Sequence, residues 1–294
     1  MHPTIEKLLA HGPVITDGAW GTELQALGLS VGDCPDTWNI TQPERVLQVA
    51  RSYVNAGSRV ILTNTFGANS IRLRECGVEL SAAEINRRGV EISLLAAGEV
   101  ALIFASVGPS GKLLLTGDVT ADELRAAFEE QVNAIAAAGA HGIVIETMSD
   151  LEETVIAITA AKSTGLPVVA SMAFDSGQQD RTMMGVTPEQ AAATLSGAGA
   201  DVIGANCGAG IAAFEKLCRR FRVATDMPLW MKANAGLPQI ENGEVIYKAD
   251  PDDFARAADV LIQAGANFIG GCCGTNPKFI EALNERHGGH EAAQ

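Results

Sequence analysis

Of the chain's six cysteines, three stand where a metal could use them. Cys272 and Cys273 are adjacent inside Gly270-Gly271-Cys272-Cys273-Gly274-Thr275, a glycine-rich run that follows a short apolar stretch. Cys207, in Gly204-Ala205-Asn206-Cys207-Gly208, closes an earlier apolar stretch in the same manner, and no histidine is near either run. Three thiolates would fill three positions of a tetrahedral zinc ion and leave one open, which separates a catalytic zinc from a structural one. A thiol entering the open position would lose its proton and become a strong sulfur nucleophile at neutral pH, suited to accepting an alkyl group. Three core cysteines or a closed structural zinc is the competing reading. Adjacent residues of a regular strand face opposite ways, so Cys272 and Cys273 can share one metal only if the strand ends or bends there. Cys34, Cys76 and Cys218 lack this setting and read as packed or incidental thiols.

Two carboxylates end other apolar stretches: Asp17, opening Asp17-Gly18-Ala19-Trp20-Gly21-Thr22, and Glu146, opening Glu146-Thr147-Met148. An ammonium group only donates and needs such acceptors. Glycine amides at Gly18 or near Gly108 could receive a carboxylate. Together these features describe a cradle for an amino acid beside a thiophilic metal. Taken singly, each acid reads equally well as a helix cap or strand-end turn. The polar segment 175–186, with Gly177 and Gly185 as hinges, reads as a lid, a docking loop or an ordinary surface loop.

These residues need elements to hold them. Eight apolar runs, at 14–17, 59–64, 102–107, 142–146, 168–173, 201–206, 229–232 and 267–271, alternate with helical patterns. Most are continuous, as for parallel strands covered on both faces. Capping-box patterns begin at Thr41, Ser81, Thr120, Ser149 and Thr187, and prolines at 43, 188 and 277 suit the first helical position. Gly57, Gly139, Gly199 and Gly265 each sit between a helical pattern and a strand, as helix-stopping glycines do. The repeated βα unit predicts a (β/α)8 barrel forming a single domain over 1–294, with 288–294 as a frayed tail. A doubly wound open sheet is the second choice, but no Gly-x-Gly-x-x-Gly follows the first strand. Active sites in such barrels lie at the C-terminal ends of the strands, where the singled-out residues fall.

The chain has 294 residues, 47% of them hydrophobic, enough for a large core. Its net charge of −14 shows no Lys/Arg cluster, which argues against nucleic-acid and membrane-surface partners. No apolar run approaches the ~18–20 residues of a membrane span, and no signal peptide is recognisable at the start. A cytoplasmic location is the expectation.

The motifs resemble the homocysteine S-methyltransferase family. The resemblance rests on 17–22, on Thr63-Asn64-Thr65-Phe66, Glu146-Thr147, 204–208 and Asn234-Ala235-Gly236-Leu237-Pro238, and most specifically on 270–275. It spans almost the whole chain and is nearest to the homocysteine-binding module of cobalamin-dependent methionine synthases. It implies a zinc-dependent barrel with Cys207, Cys272 and Cys273 as ligands. It further implies that Asp17 and Glu146 bind the homocysteine amino group, that Gly18 and Thr63 lie beside the amino-acid end, and that Asn234 takes the fourth zinc position before substrate arrives. Trp20 departs from the cobalamin-type motif, which usually has methionine there. A complete cobalamin-dependent synthase would add folate, cobalamin and activation modules, so the barrel reads as a stand-alone subunit or as a piece of a longer chain, with methylcobalamin from a corrinoid protein in trans as the expected donor.

Three other readings compete. S-methylmethionine, S-adenosylmethionine or betaine could be the donor, although betaine favours an aromatic cage and only 5% of the residues are aromatic. The chain could be a non-catalytic zinc- or homocysteine-binding module. An aldolase-type barrel would leave the cysteine pair unexplained, with Lys232 as its one candidate Schiff-base lysine.

Overall fold

A computed structural model describes residues 1–176, 180–241 and 244–288. The barrel begins with β1 (Val14–Ile15), β2 (Val60–Ile61), β3 (Leu102–Val107), β4 (Gly142–Met148), β5 (Val168–Met172), β6 (Val202–Gly210) and β7 (Leu229–Asn234). A small antiparallel hairpin, β8 (Gln239–Glu241) and β9 (Glu244–Ile246), leaves the loop after β7, and β10 (Ala266–Gly271) is the eighth stave. All eight staves are parallel, in the order β1-β10-β7-β6-β5-β4-β3-β2, and a parallel bridge between Thr16 and Val60 closes the ring. The fold is the expected (β/α)8 barrel.

Several elements differ in detail from expectation. β2 is shorter than the apolar run 59–64, and β6 runs past Asn206 to Gly210. Thr120 and Thr187 form complete capping boxes, whereas Ser81 only accepts from the Glu84 amide. Asp150, not Ser149, caps helix Leu151–Lys162, because its carboxylate reaches the Glu153 amide. Thr41 belongs to a preceding short helix, Trp38–Thr41, so helix Pro43–Asn55 starts at Gln42 without a side-chain cap. Gly57, Gly139, Gly199 and Gly265 all have φ between 91° and 102°, as helix-stopping glycines require. Of the expected frayed tail, 289–294 lies outside the described residues.

The two-residue period of a strand divides the core. Ile103, Ile143, Val168, Ile203, Leu229 and Ile269 point outward and pack beneath the helices. Their neighbours Phe104, Val144, Val169, Val202, Trp230 and Phe268 point inward and fill the barrel, with Ile5 and Leu8 of helix Pro3–Leu9 packed against them. Two residues further along each strand, the same inward face carries Ser106, Glu146, Ser171, Gly204, Lys232 and Gly270. The barrel is therefore apolar in its lower layer and polar above, toward the C-terminal ends.

Glycine is required at two of these inward positions. Gly204 pairs with Trp230, and a Cβ on it would lie 1.9 Å from the Trp230 carbonyl oxygen. Gly270 pairs with Lys232, and a Cβ there would lie 2.1 Å from Thr16 Oγ1. Gly204→Ala must push β6 from β7 and is expected to cost about 3 kcal/mol of unfolding free energy, read by urea denaturation.

Candidate functional site

The three thiols meet at the C-terminal mouth although strand parity would keep them apart. Asn206 faces inward on β6, so Cys207 should face the helices. Opposite β7, Asn206 pairs with Lys232 and Gly210 with Asn234, so extra residues bulge out of β6. Cys207 sits in that bulge with φ 64°, followed by Gly208 at φ 71°, which turns its side chain into the mouth. β10 ends at Gly271, and the turn through Gly274, at φ 81°, lets Cys272 and Cys273 converge. All three sulfurs lie within 4.8 Å of one another, and Cys207 and Cys273 are 3.9 Å apart. Tetrahedral thiolate ligands on zinc stand about 3.8 Å apart.

The charge state of this cluster suits a cation. Hydrogen bonds from the Cys272 and Cys273 thiols hold Cys207 down at about 2. The same bonds keep the protons on the donors, with Cys273 pushed up to about 12 and Cys272 well above the usual thiol range. The cluster thus favours a thiolate at Cys207, and a divalent cation would favour the ionised form of all three. Asn234 Nδ2 donates to the Gly208 carbonyl (2.7 Å), while its buried Oδ1 has no hydrogen-bond partner among the described residues. The Asn234 side chain also donates to Cys207, so its amide adjoins the cluster, and a flipped amide would present its oxygen as a fourth ligand.

The acidic residues occupy different depths. Glu146 lies at the mouth, 8% exposed, and accepts from Ser106 Oγ at 2.5 Å through Oε1. Burial pushes its carboxyl up, opposed first by the Lys232 charge and then by the Ser106 hydroxyl. Asp17 is completely buried. Its Oδ1 pairs with Lys232 Nζ at 2.5 Å, and its Oδ2 accepts from the Leu62 amide and the Trp20 indole, each at 2.7 Å. Thr63 is also buried. Its hydroxyl accepts from the Ser106 amide (3.1 Å) and bonds the Thr65 hydroxyl (2.6 Å), tying the ends of β2 and β3 together. Gly18 packs on the Tyr53 hydroxyl and Thr275, and the Gly108 amide is committed to the Phe66 carbonyl (2.8 Å).

Several supporting residues escaped sequence reasoning because their roles depend on distant partners. Lys232 carried only the unfavoured aldolase reading, yet it is the buried partner of Asp17. Asn206 Oδ1 accepts from the Thr147 amide (2.8 Å) and the Ser171 hydroxyl (2.7 Å), and its Nδ2 donates to Thr147 Oγ1 (2.7 Å). It thereby holds Thr147 at φ 60°, a strained turn directly after Glu146. Thr275 accepts from the Ala19 amide (3.1 Å) and donates to the Cys272 carbonyl (2.8 Å), joining the Asp17 loop to the cysteine loop. Asp36 accepts from the Gly67 amide (3.0 Å) beneath the loop after β2. A buried polar residue near a strand end was the one available signal for Lys232 and Asn206.

Cys218 is buried under the helices, Cys34 lies 3.5 Å from Asp36, and Cys76 is exposed, so none of the three approaches the sulfur cluster. In segment 175–186, Ser176 bridges to Arg181, Thr182 Oγ1 donates to the Ser149 carbonyl, and Asp180 pairs with Lys216. Gly177, an expected hinge, lies outside the described residues.

The homocysteine S-methyltransferase family model matches residues 14–287. The methionine synthase of Mycobacterium leprae is 28% identical over 94% of this chain and 24% of its own length, so the chain spans about a quarter of that relative. Betaine–homocysteine S-methyltransferase 1 of Rattus norvegicus is 27% identical over 96% of this chain and 74% of its own. The metallated form of the homocysteine methyltransferase MmuM from Escherichia coli superposes with a TM-score of 0.81 at 23% identity, covering 97% of this chain and all of that one. That superposition shows the same fold.

Two outcomes are expected. Cys207→Ala should not retain zinc after dialysis, measured by metal analysis, whereas Cys76→Ala should retain it. For Asp36, burial pushes the carboxyl up from 3.8 to about 6. The folded state favours the neutral acid, so its contribution is full below about pH 4 and is lost as the pH rises through about 6. Asp36→Asn should remove this loss, making the variant about 2 kcal/mol more stable relative to wild type at about pH 7 than at about pH 4, by urea denaturation at both.

Proposed function

The chain belongs to the homocysteine S-methyltransferase family, and on that premise we propose that it methylates the sulfur of L-homocysteine to give methionine, as a single-domain barrel with zinc on Cys207, Cys272 and Cys273. The observation that carries this reading is the convergence of three thiols at the mouth that also holds Glu146. Zinc in such a site supplies Lewis acidity that removes a thiol proton at neutral pH.

The chain's own groups supply position and charge. Glu146 accepts from the substrate ammonium, held in place by Ser106 and by the Asn206 clamp on Thr147. Asp17, whose oxygens are engaged by Lys232, the Leu62 amide and the Trp20 indole, would lie behind Glu146 as the second carboxylate for the ammonium, Gly18 and Thr63 would lie beside the amino-acid end, and Asn234 would hold the fourth metal position in the absence of substrate. In the transfer, a sulfur lone pair forms the new S–C bond while the bond from the methyl group to its donor breaks. The electron pair of that bond leaves with the donor, and the thiol proton goes to solvent.

Methylcobalamin on a separate corrinoid protein is the favoured donor. Val31, Phe66, Leu115, Met183, Leu237 and Ile240 are exposed on loops that follow β1, β2, β3, β5 and β7. Loops that follow barrel strands leave from the C-terminal end, where the thiols also lie. A docking protein would cover these apolar side chains, whereas S-methylmethionine, S-adenosylmethionine or betaine would leave them in water. All six cysteines are free, which suits the reducing cytoplasm. No helix among the described residues is long and apolar enough to cross a membrane.

Zinc-loaded protein given L-homocysteine and methylcobalamin under reducing conditions should form methionine faster than Cys272→Ala does. Equal rates would refute the reading. Glu146→Ala should keep its zinc and raise the KM for homocysteine by about tenfold or more, equivalent to about 1.4 kcal/mol of lost binding.

A further inference from the structure

The chain leaves the sulfur cluster at Asn234, the end of β7, and returns to it at Tyr247. Outbound, the Ala235 amide donates to the Cys273 carbonyl (3.0 Å), and Gly236 packs on Gly210 of the β6 bulge. The hairpin β8–β9 follows, and Tyr247 is the first residue after it. Its half-buried ring lies on Gly274: a Cβ on that glycine would stand no more than 2.5 Å from the ring atoms Cγ, Cδ1 and Cδ2. Two anchors hold the ring there. On one side β9 pairs with β8, and on the other Asp250 accepts from the Asp252 and Asp253 amides to cap helix Pro251–Gln263.

The turn beneath the ring is the one that gathers the thiols. Hydrogen bonds tie it on either side of Gly274. The Cys272 amide donates to the Ala233 carbonyl (2.7 Å), and the Thr275 amide and hydroxyl both donate to the Cys272 carbonyl (3.0 and 2.8 Å). Gly274 stands between these ties at φ 81°. Glycine gives up more conformational freedom on folding than any other residue, so a ring packed on it restricts the turn where it is softest.

We propose that Tyr247 is a positioning residue for the metal site: its ring, packed on Gly274, holds the cysteine turn in the shape that brings Cys273 to Cys207, and so slows the loss of bound zinc. This deepens the function proposed above and rests on zinc being held by Cys207, Cys272 and Cys273. Without the ring the turn can open, and the sulfurs must be gathered again against the freedom of Gly274.

The test mixes zinc-loaded wild type, Tyr247→Ala, Tyr247→Phe and Leu261→Ala with excess chromogenic chelator under reducing conditions and reads the rate of zinc release. Tyr247→Ala should release zinc about tenfold faster than wild type, the scale on which residues that orient metal ligands act. Tyr247→Phe should match wild type, because the ring and not the hydroxyl rests on Gly274. Leu261 is buried near the far end of helix Pro251–Gln263. Leu261→Ala should therefore lower stability in urea without speeding release.

Release from Tyr247→Ala at the wild-type rate overturns the proposal. So does a Tyr247→Phe protein that releases zinc as fast as Tyr247→Ala. Equally fast release from Leu261→Ala marks a general loosening and overturns it as well. Should Tyr247→Ala not fold, Tyr247→Leu keeps apolar bulk without the flat ring and should still release zinc faster than wild type; an unchanged rate there overturns the proposal. A wild type that binds no zinc overturns the functional reading itself, and this proposal with it.

Discussion

The buried ion pair between Lys232 and Asp17 is the constraint on which the upper half of this barrel depends. Two charges removed from water are costly, and breaking such a pair typically costs about 3–5 kcal/mol because the survivor is left uncompensated. Every neighbour fits that requirement. Gly270 leaves room for the lysine to pass, and the Leu62 amide and Trp20 indole occupy the second carboxylate oxygen. The pair spans three adjacent staves, β1, β10 and β7, so it also fixes the strand ends that carry the cysteine turn and Asn234.

Around that pair the site is assembled from backbone irregularities. Regular strands would send Cys207 outward and set Cys272 against Cys273. The β6 bulge, the end of β10 at Gly271 and the left-handed turns at Cys207, Gly208 and Gly274 bring the three sulfurs together. Thr147 pairs the same conformation with the Asn206 clamp and thereby aims Glu146. Each left-handed non-glycine residue costs of order 1–3 kcal/mol. The regular lower barrel, packed with Phe104, Trp230 and Phe268, supplies the stability against which that strain is held.

The polar and apolar layers also separate binding from folding. Below, inward residues are large and apolar and answer for stability. Above, Ser106, Glu146, Asn206 and Asn234 are satisfied by one another or directed into the mouth. Exposed apolar residues lie on the loops that follow the strands.

Much of this was legible in the amino-acid order alone. The apolar runs, the helix-stopping glycines and the complete caps at Thr120 and Thr187 are local signals, and local physics determines them. The glycine-flanked thiols marked the sulfur cluster for the same reason, since so many glycines beside cysteines announce a backbone leaving its regular path. Contacts between residues far apart in the chain could not be read. Asp17 looked like an open acceptor until the closed ring brought Lys232 to it from 215 positions away. Gly270 read as part of a metal-binding turn, and only its pairing with Lys232 shows that it also makes space for a buried charge. Sequence determined that the reactive groups would stand at strand ends, because apolar runs and the glycines that interrupt them are local signals. Tertiary structure decided which charge neutralises which, because that depends on where the barrel closes.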